Sequence, residues 1–247
     1  MNQNHPSKTH AAEAIKKFAG WYHQITVAPG LETPGSHNSA EQLKILDQFD
    51  LPKDCSGLRV LDIGCRDGYF SFEMERRGAS VTAIDSADPE STGFSIAASL
   101  IGSDVEYEVQ NVYELAAKES GGDYDIVLFL GVLYHLRNPL LALDRIREVI
   151  KPGAKLFVET QLATAPDCIE SDTPMCQFLF ADTFRNDGTN KWAPNLSCLK
   201  AMVREARFEV LACESRGDRA YVHAEAVEND FLDSFRKMDS AGSCGLR

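Results

Sequence analysis

The sequence predicts an α/β fold: a mostly parallel seven-stranded sheet with helices on both faces and a last strand running backwards. Three observations carry that expectation. Between Arg59 and Thr160, short apolar runs alternate with helix-like stretches, the succession of a parallel sheet wrapped by helices. "YDIVLFL" (124–130) is apolar almost throughout, as in a strand covered on both faces. Near the end, "FEVLACE" and "RAYVHAEA" are joined only by "SRGD", a connection short enough for an antiparallel hairpin.

Taken in order, residues 9–20 read as an amphipathic helix with Ala14, Ile15 and Phe18 at helical spacing and Gly20 as its stop. "WYHQITVAPGLETPGSHN" carries Pro29, Gly30, Pro34 and Gly35 and reads as a loop. A helix from Ser39 to Phe49 places Leu43, Leu46 and Phe49 on one face. Strand "RVLDI" leads to helix "YFSFEMERRG", and strand "SVTAID" to helix "PESTGFSIAASL" with Pro89 in its first turn. "VEYEVQ" and "YDIVLFL" are further strands. Asn138 caps the next helix, "PG" ends it, and "AKLFVET" is the fifth strand. Residues 161–194 break the rhythm with Pro166, Pro174, Gly188 and Pro194 among several aromatic residues; a stretch of that length reads as a lid. "LSCLKAMVREA" is helical. The organisation expected is an N-terminal helical cap and loop (1–50), one main domain (51–228, with 161–194 as lid insertion) and a tail (229–247).

The composition, 44% hydrophobic and 25% charged over 247 residues, is that of a globular protein. Its balance is acidic, 25 Lys+Arg against 37 Asp+Glu for a net charge of −12, which disfavours nucleic acid as a partner. No apolar run suggests a secretory signal or a membrane span, so a cytoplasmic protein with no membrane partner is expected. The seven cysteines are scattered without zinc spacing, so free thiols and no metal site are expected.

"VLDIGCRDG" (60–68) carries the chemistry. A dinucleotide-binding turn wants G-x-G-x-x-G, but here Arg66 stands between Gly64 and Gly68, and Tyr69 follows. A nucleoside without phosphates, S-adenosylmethionine, needs less: an acidic group near the first strand, a close-approach glycine and a carboxylate for the ribose hydroxyls. Asp62, Gly64 and Gly68 supply the loop, and Asp85 ends the second strand.

"VLDIGCRDGYFSFEMERRGA", "NVYEL", "YDIVLFLGVLYHL", "NPLLALDRIREVIKPG" and "LFVET" resemble the class I S-adenosylmethionine-dependent methyltransferases. Within that class the chain looks most like the family typified by tRNA wobble-uridine (5-hydroxyuridine) methyl- and carboxymethyltransferases, over roughly residues 20–215. Members replace the middle glycine, so Arg66 is compatible with binding. The resemblance implies a Rossmann-like methyltransferase sheet. It assigns the cofactor to Asp62, Gly64, Cys65, Arg66, Gly68, Asp85, Ser86, Asn111, Val112, Leu130 and Gly131. It places Tyr134, His135 and Glu159 beside the reacting centre, and His135 is a candidate base. It gives Trp21, His23, Thr33, Pro34, Tyr134, Arg137 and Trp192 to the acceptor. Structural alternatives stand beside these roles: Asp62, Gly64 and Asn111 as turn residues, Asp85, His135 and Arg137 as caps, Trp192 as lid packing.

In the carboxymethyl branch, upstream basic residues bind the donor's extra carboxylate; Lys16 and Lys17 before "WYHQ" give no clear match. With the acidic charge, this favours S-adenosyl-L-methionine as donor and methyl transfer to O or N of a small-molecule acceptor. The alternatives are a tRNA wobble-uridine methyl- or carboxymethyltransferase and, ranked last, a non-catalytic binding protein. Monomer and homodimer stay equally open.

Overall fold

The computed structural model describes residues 7–116 and 122–227. Helix α1 (Lys8–Lys16) is capped by the Ser7 side chain. A small ribbon, β1 (Thr26–Ala28) and β2 (Leu31–Glu32), precedes α2 (Ser39–Gln48), which Asn38 caps. Then come β3 (Arg59–Ile63), α3 (Tyr69–Arg76), β4 (Ser80–Asp85), α4 (Pro89–Thr92), α5 (Phe94–Ile101) and β5 (Glu106–Val109). A 3-10 turn at Val112–Glu114 leads to β6 (Tyr124–Leu130), and a second at Leu133–His135 to α6 (Pro139–Val149) and β7 (Ile150–Gln161). The chain continues through α7 (Pro166–Ile169), β8 (Cys176–Phe178), β9 (Trp192–Pro194), α8 (Leu196–Glu205), β10 (Phe208–Arg216) and β11 (Arg219–Ala226).

Seven strands form one sheet in the order β10-β11-β7-β6-β3-β4-β5. β4, β3, β6 and β7 pair in parallel, as does β5 with β4; β11 runs antiparallel between β7 and β10. The reversed last strand therefore follows from the short hairpin, as expected. Apolar cores fill both faces. Leu143, Ile146, Leu199, Val203 and Phe208 pack on one side, and Ile15, Leu46, Phe49, Phe72 and Phe94 on the other. Burial of this kind stabilises by about 25 cal/mol per Å² of apolar surface removed from water.

The structure differs from the sequence reading in several places. The helix expected over 89–100 is broken at Gly93, whose φ is +86°. A Cβ there would sit 2.8 Å from Phe18 and 2.9 Å from Trp21, so the break lets the N-terminal segment lie against the backbone. Pro152 and Gly153 fall inside β7 instead of separating helix from strand. A register shift opposite Tyr124 and Ile126 absorbs the extra residues. Asn138 holds the cap position of α6, but its side chain makes no capping bond. The lid is ordered by α7 and the β8/β9 ribbon, and it begins only after β7 ends at Gln161. The N-terminal loop likewise contains the β1/β2 ribbon. The expected tail lies outside the described residues. Among the described residues no helix is long and apolar enough to cross a membrane.

Candidate active site

A cavity of about 960 Å³ opens at the carboxyl ends of β3, β4, β6 and β7, where ligands gather in sheets of this topology. Its floor is the β3–α3 loop. Gly64 and Cys65 both donate to the Ile84 carbonyl, at 2.8 and 3.2 Å, which ties the loop to β4. Gly64 has a φ of +73°, and a Cβ would meet Val132 Cγ2 at 2.4 Å, so any other residue would be strained and would have to push the Val132 side chain aside. The position where a middle glycine was expected is also left-handed: Arg66 has a φ of +52°. A non-glycine residue there costs about 1–2 kcal/mol, which is why glycine is common at such a turn and why arginine is still tolerated.

The carboxylates differ in setting. Asp62 is buried and accepts from Ser71 Oγ at 2.6 Å; burial pushes its pKa up to about 6 despite that bond. Asp85 reaches the cavity and takes one backbone N–H on each oxygen, from Arg66 at 3.1 Å and from Ala87 at 3.0 Å. Each oxygen keeps acceptor capacity for a further hydroxyl. Ser86, Asn111, Val112, Leu130 and Gly131 line the same space. Asn111 uses its side-chain oxygen on the Tyr113 N–H at 3.0 Å, so its structural and binding readings coexist. Cys65 faces the cavity with a thiol that burial pushes far above its ordinary value. Gly68 is not on the cavity wall. The Phe72 and Phe94 rings occupy the space its Cβ would need, which makes it the helix-packing glycine.

Glu159, Tyr134 and His135 meet at the other end. Glu159 forms a two-pronged ion pair with Arg219 of β11, whose guanidinium lies 4.7 Å from the centre of the Tyr134 ring. Burial opposes the charge on Arg219, but the Glu159 bonds more than offset it and hold its pKa above the ordinary value. Tyr134 and His135 have ring centroids 4.0 Å apart. Burial lowers the pKa of His135, so the imidazole is neutral at pH 7.

The N-terminal arm closes the cleft. Asp67, fully buried in "GCRDG", accepts the Tyr22 and His23 backbone N–H groups at 2.8 Å each and His23 Nδ1 at 2.5 Å. Tyr22 then stacks on His37 at 3.9 Å, with the Arg66 guanidinium 5.3 Å from its ring centre.

Several residues expected to bind the acceptor do not line the cavity. Trp21 is buried against Phe18 and donates to the Ile15 carbonyl at 3.1 Å. Thr33 Oγ1 donates to the His23 carbonyl at 2.7 Å and accepts from Ile25 N at 2.8 Å, bracing the arm from behind with Pro34 beside it. Arg137 is exposed, and its carbonyl accepts from Trp192 Nε1 at 3.2 Å, which makes Trp192 an anchor of the lid. His23 does line the cavity, though Asp67 engages its Nδ1. In their place stand Tyr22, His37, Arg185, Asp187, Thr189, Asp218, Arg219 and Tyr221, none of which the sequence singled out. Only Asp67 carried a local signal, its place within the glycine loop.

Sheet order, loop chemistry and cleft together define a class I S-adenosylmethionine-dependent methyltransferase. The chain matches a methyltransferase domain over residues 36–212 and belongs to that family. It is 37% identical over 164 residues to a ubiquinone biosynthesis O-methyltransferase of Xanthomonas axonopodis pv. citri (strain 306), covering 65% of this chain and 66% of that one. It is 44% identical over 160 residues to the protein of the same name from Xanthomonas campestris pv. campestris (strain B100), covering 64% of each. The matched part thus spans just under two thirds of these relatives. The fold is shared with the N-terminal domain of EvdMO1 with SAH bound (TM-score 0.64, 18% identity, 92% of this chain and 100% of that one). An S-adenosylmethionine-dependent methyltransferase from Mesorhizobium loti is also similar (TM-score 0.56, 16% identity, 75% and 97%). The donor set suits S-adenosylmethionine: the cleft offers a carboxylate with spare acceptor capacity at Asp85 and a loop held open by Gly64.

Proposed function

We propose that the protein is an S-adenosylmethionine-dependent O-methyltransferase whose acceptor is the ring hydroxyl of a phenolic small molecule. The observation that carries this reading is a neutral His135 that lines the same cavity as Tyr134, Gly131 and Asp85. S-adenosylmethionine, when bound, supplies an electrophilic methyl group on a positively charged sulfur. Asp85 would hold the ribose hydroxyls, the Asp62–Gly64 loop and Gly131 would receive the amino-acid end, and Asn111 and Val112 would flank the base. An aligned nucleophile needs little further help. A phenol is protonated at neutral pH, so His135 takes its proton as the oxygen attacks. Tyr22, Tyr134 and Tyr221 give the acceptor's ring apolar faces and phenol edges.

The names of the Xanthomonas relatives support oxygen as the atom methylated. The tRNA reading loses support at the rim. Of the three arginines lining the cleft, Arg185 pairs with Asp218 and Arg219 with Glu159, which leaves little positive charge there for a phosphate backbone.

His135→Gln tests the reading with S-adenosylhomocysteine titration and with transfer of labelled methyl to a simple catechol. Donor binding is expected to persist while turnover falls about 100-fold or more. In the native protein the rate falls with acid through a His135 titration lying below the usual histidine value of 6.5, because protonation removes the base. Unchanged turnover in His135→Gln would sink the assignment of the base.

A further inference from the structure

His135 is approached from the lid. Thr189 Oγ1 lies 3.0 Å from His135 Nδ1 and 2.6 Å from Asp187 Oδ1. Asp187 also accepts the Thr189 backbone N–H at 2.9 Å; these bonds hold its carboxyl below the ordinary range, hence ionised. A carboxylate can only accept. The single hydroxyl proton of Thr189 therefore goes to Asp187, and the same oxygen can only accept from His135. That fixes the proton of the neutral imidazole on Nδ1 and leaves the lone pair on Nε2. The Lys191 N–H on the Tyr134 carbonyl at 2.8 Å holds the loop in register with the histidine, and Asn190 Nδ2 on the Asp187 carbonyl at 3.2 Å braces the loop internally.

We infer that Asp187 and Thr189 are positioning residues for methyl transfer. They select the Nδ1–H tautomer of His135, so that Nε2 is the atom that receives the acceptor's proton. The inference rests on the reading of His135 as base, but its tautomeric part stands without it. The arrangement couples the lid to the chemistry, since the base takes its working tautomer only while residues 187–191 lie over it. The charged groups acting on His135 are Asp187 and Lys191 of the lid and Arg219 of β11, with the Tyr134 ring beside it. Asp187 favours the imidazolium and the two cations oppose it, so the order of protonation alone does not reveal the tautomer.

The test reads the tautomer directly. The full chain labelled with [15N]histidine is examined at pH 8 by long-range 1H–15N correlation, and His135→Gln identifies the signals. The expected spectrum has a protonated Nδ1 and an unprotonated Nε2 for His135. Thr189→Val removes the acceptor and should shift the ring toward Nε2–H, whereas Thr189→Ser should restore the native pattern. With a simple catechol, Thr189→Val should lower kcat by about 10-fold or more and leave S-adenosylhomocysteine affinity unchanged. An Nε2–H ring in the native protein overturns the inference whatever the variants do. So does a Thr189→Val spectrum identical to native. If the tautomers behave as expected but His135→Gln turns over normally, tautomer selection stands, while the positioning role and the assignment of the base fall together.

Discussion

At the scale of single residues, Asp62 is a cavity-lining carboxylate buried at the expense of stability. Its folded-state value of about 6 lies above the ordinary 3.8, so folding is favoured most when the carboxyl is protonated. That contribution is complete below pH 3.8 and is lost as pH rises through 6; above it the fold carries a desolvated carboxylate. Asp62→Asn is therefore expected to be more stable than native at pH 8, by up to about 3 kcal/mol, with the difference closing as pH falls toward 4. Urea unfolding at several pH values checks this, and the variant's affinity for S-adenosylhomocysteine should fall over the same range. Asp62 and Asp85 were legible in the sequence because both belong to strand-end motifs a few residues long. Arg66 was legible only in part: its identity was plain, but the left-handed backbone that explains it was not.

Elements set the acceptor side. The β7–β11 register puts Arg219 opposite Gln161 and Tyr221 opposite Glu159, which delivers Arg219 to the Glu159 carboxylate. Breaking a buried pair by removing one partner typically costs about 3–5 kcal/mol, and removing both costs less. Glu159→Gln and Arg219→Met should each destabilise the protein more than the double substitution does, measured as a double-mutant cycle by chemical unfolding. Additive effects would show that the pair is screened by water in the cleft. Glu159 was legible at a strand end, but Arg219 sits 60 residues away and had no motif to announce it. The hairpin itself was legible from its short turn, whereas the register that aims its side chains was not. Gly93 illustrates the converse: read locally, it was a weak residue within a helix, and the N-terminal segment packed on it made it a break.

For the molecule as a whole, Asp67 joins the N-terminal arm to the cofactor loop through three hydrogen bonds. Asp67→Asn should loosen that arm at a cost of about 2–3 kcal/mol, since the amide presents N–H where N–H groups already point. Limited proteolysis should then cut between residues 17 and 38 in the variant and spare the native protein. Weaker S-adenosylhomocysteine binding is expected to accompany it, because Tyr22 and His23 line the same cavity. Equal protease resistance would mean that Thr33 and the Trp21 packing hold the arm unaided.

Local sequence was enough for the alternation of strands and helices, the reversed last strand and the β3–α3 loop with Asp62 and Asp85 at its flanking strand ends. Hydrophobic periodicity, turn residues and strand-end motifs are properties of neighbouring residues, and they act before the chain is compact. The opposite end of the cleft is set by tertiary structure alone. Tyr22 from the arm, Thr189 and Asp187 from the lid and Arg219 from the hairpin meet there only once the sheet is assembled. Their roles depend on hydrogen-bond direction and ion pairing across long separations in the chain, and no local pattern encodes those.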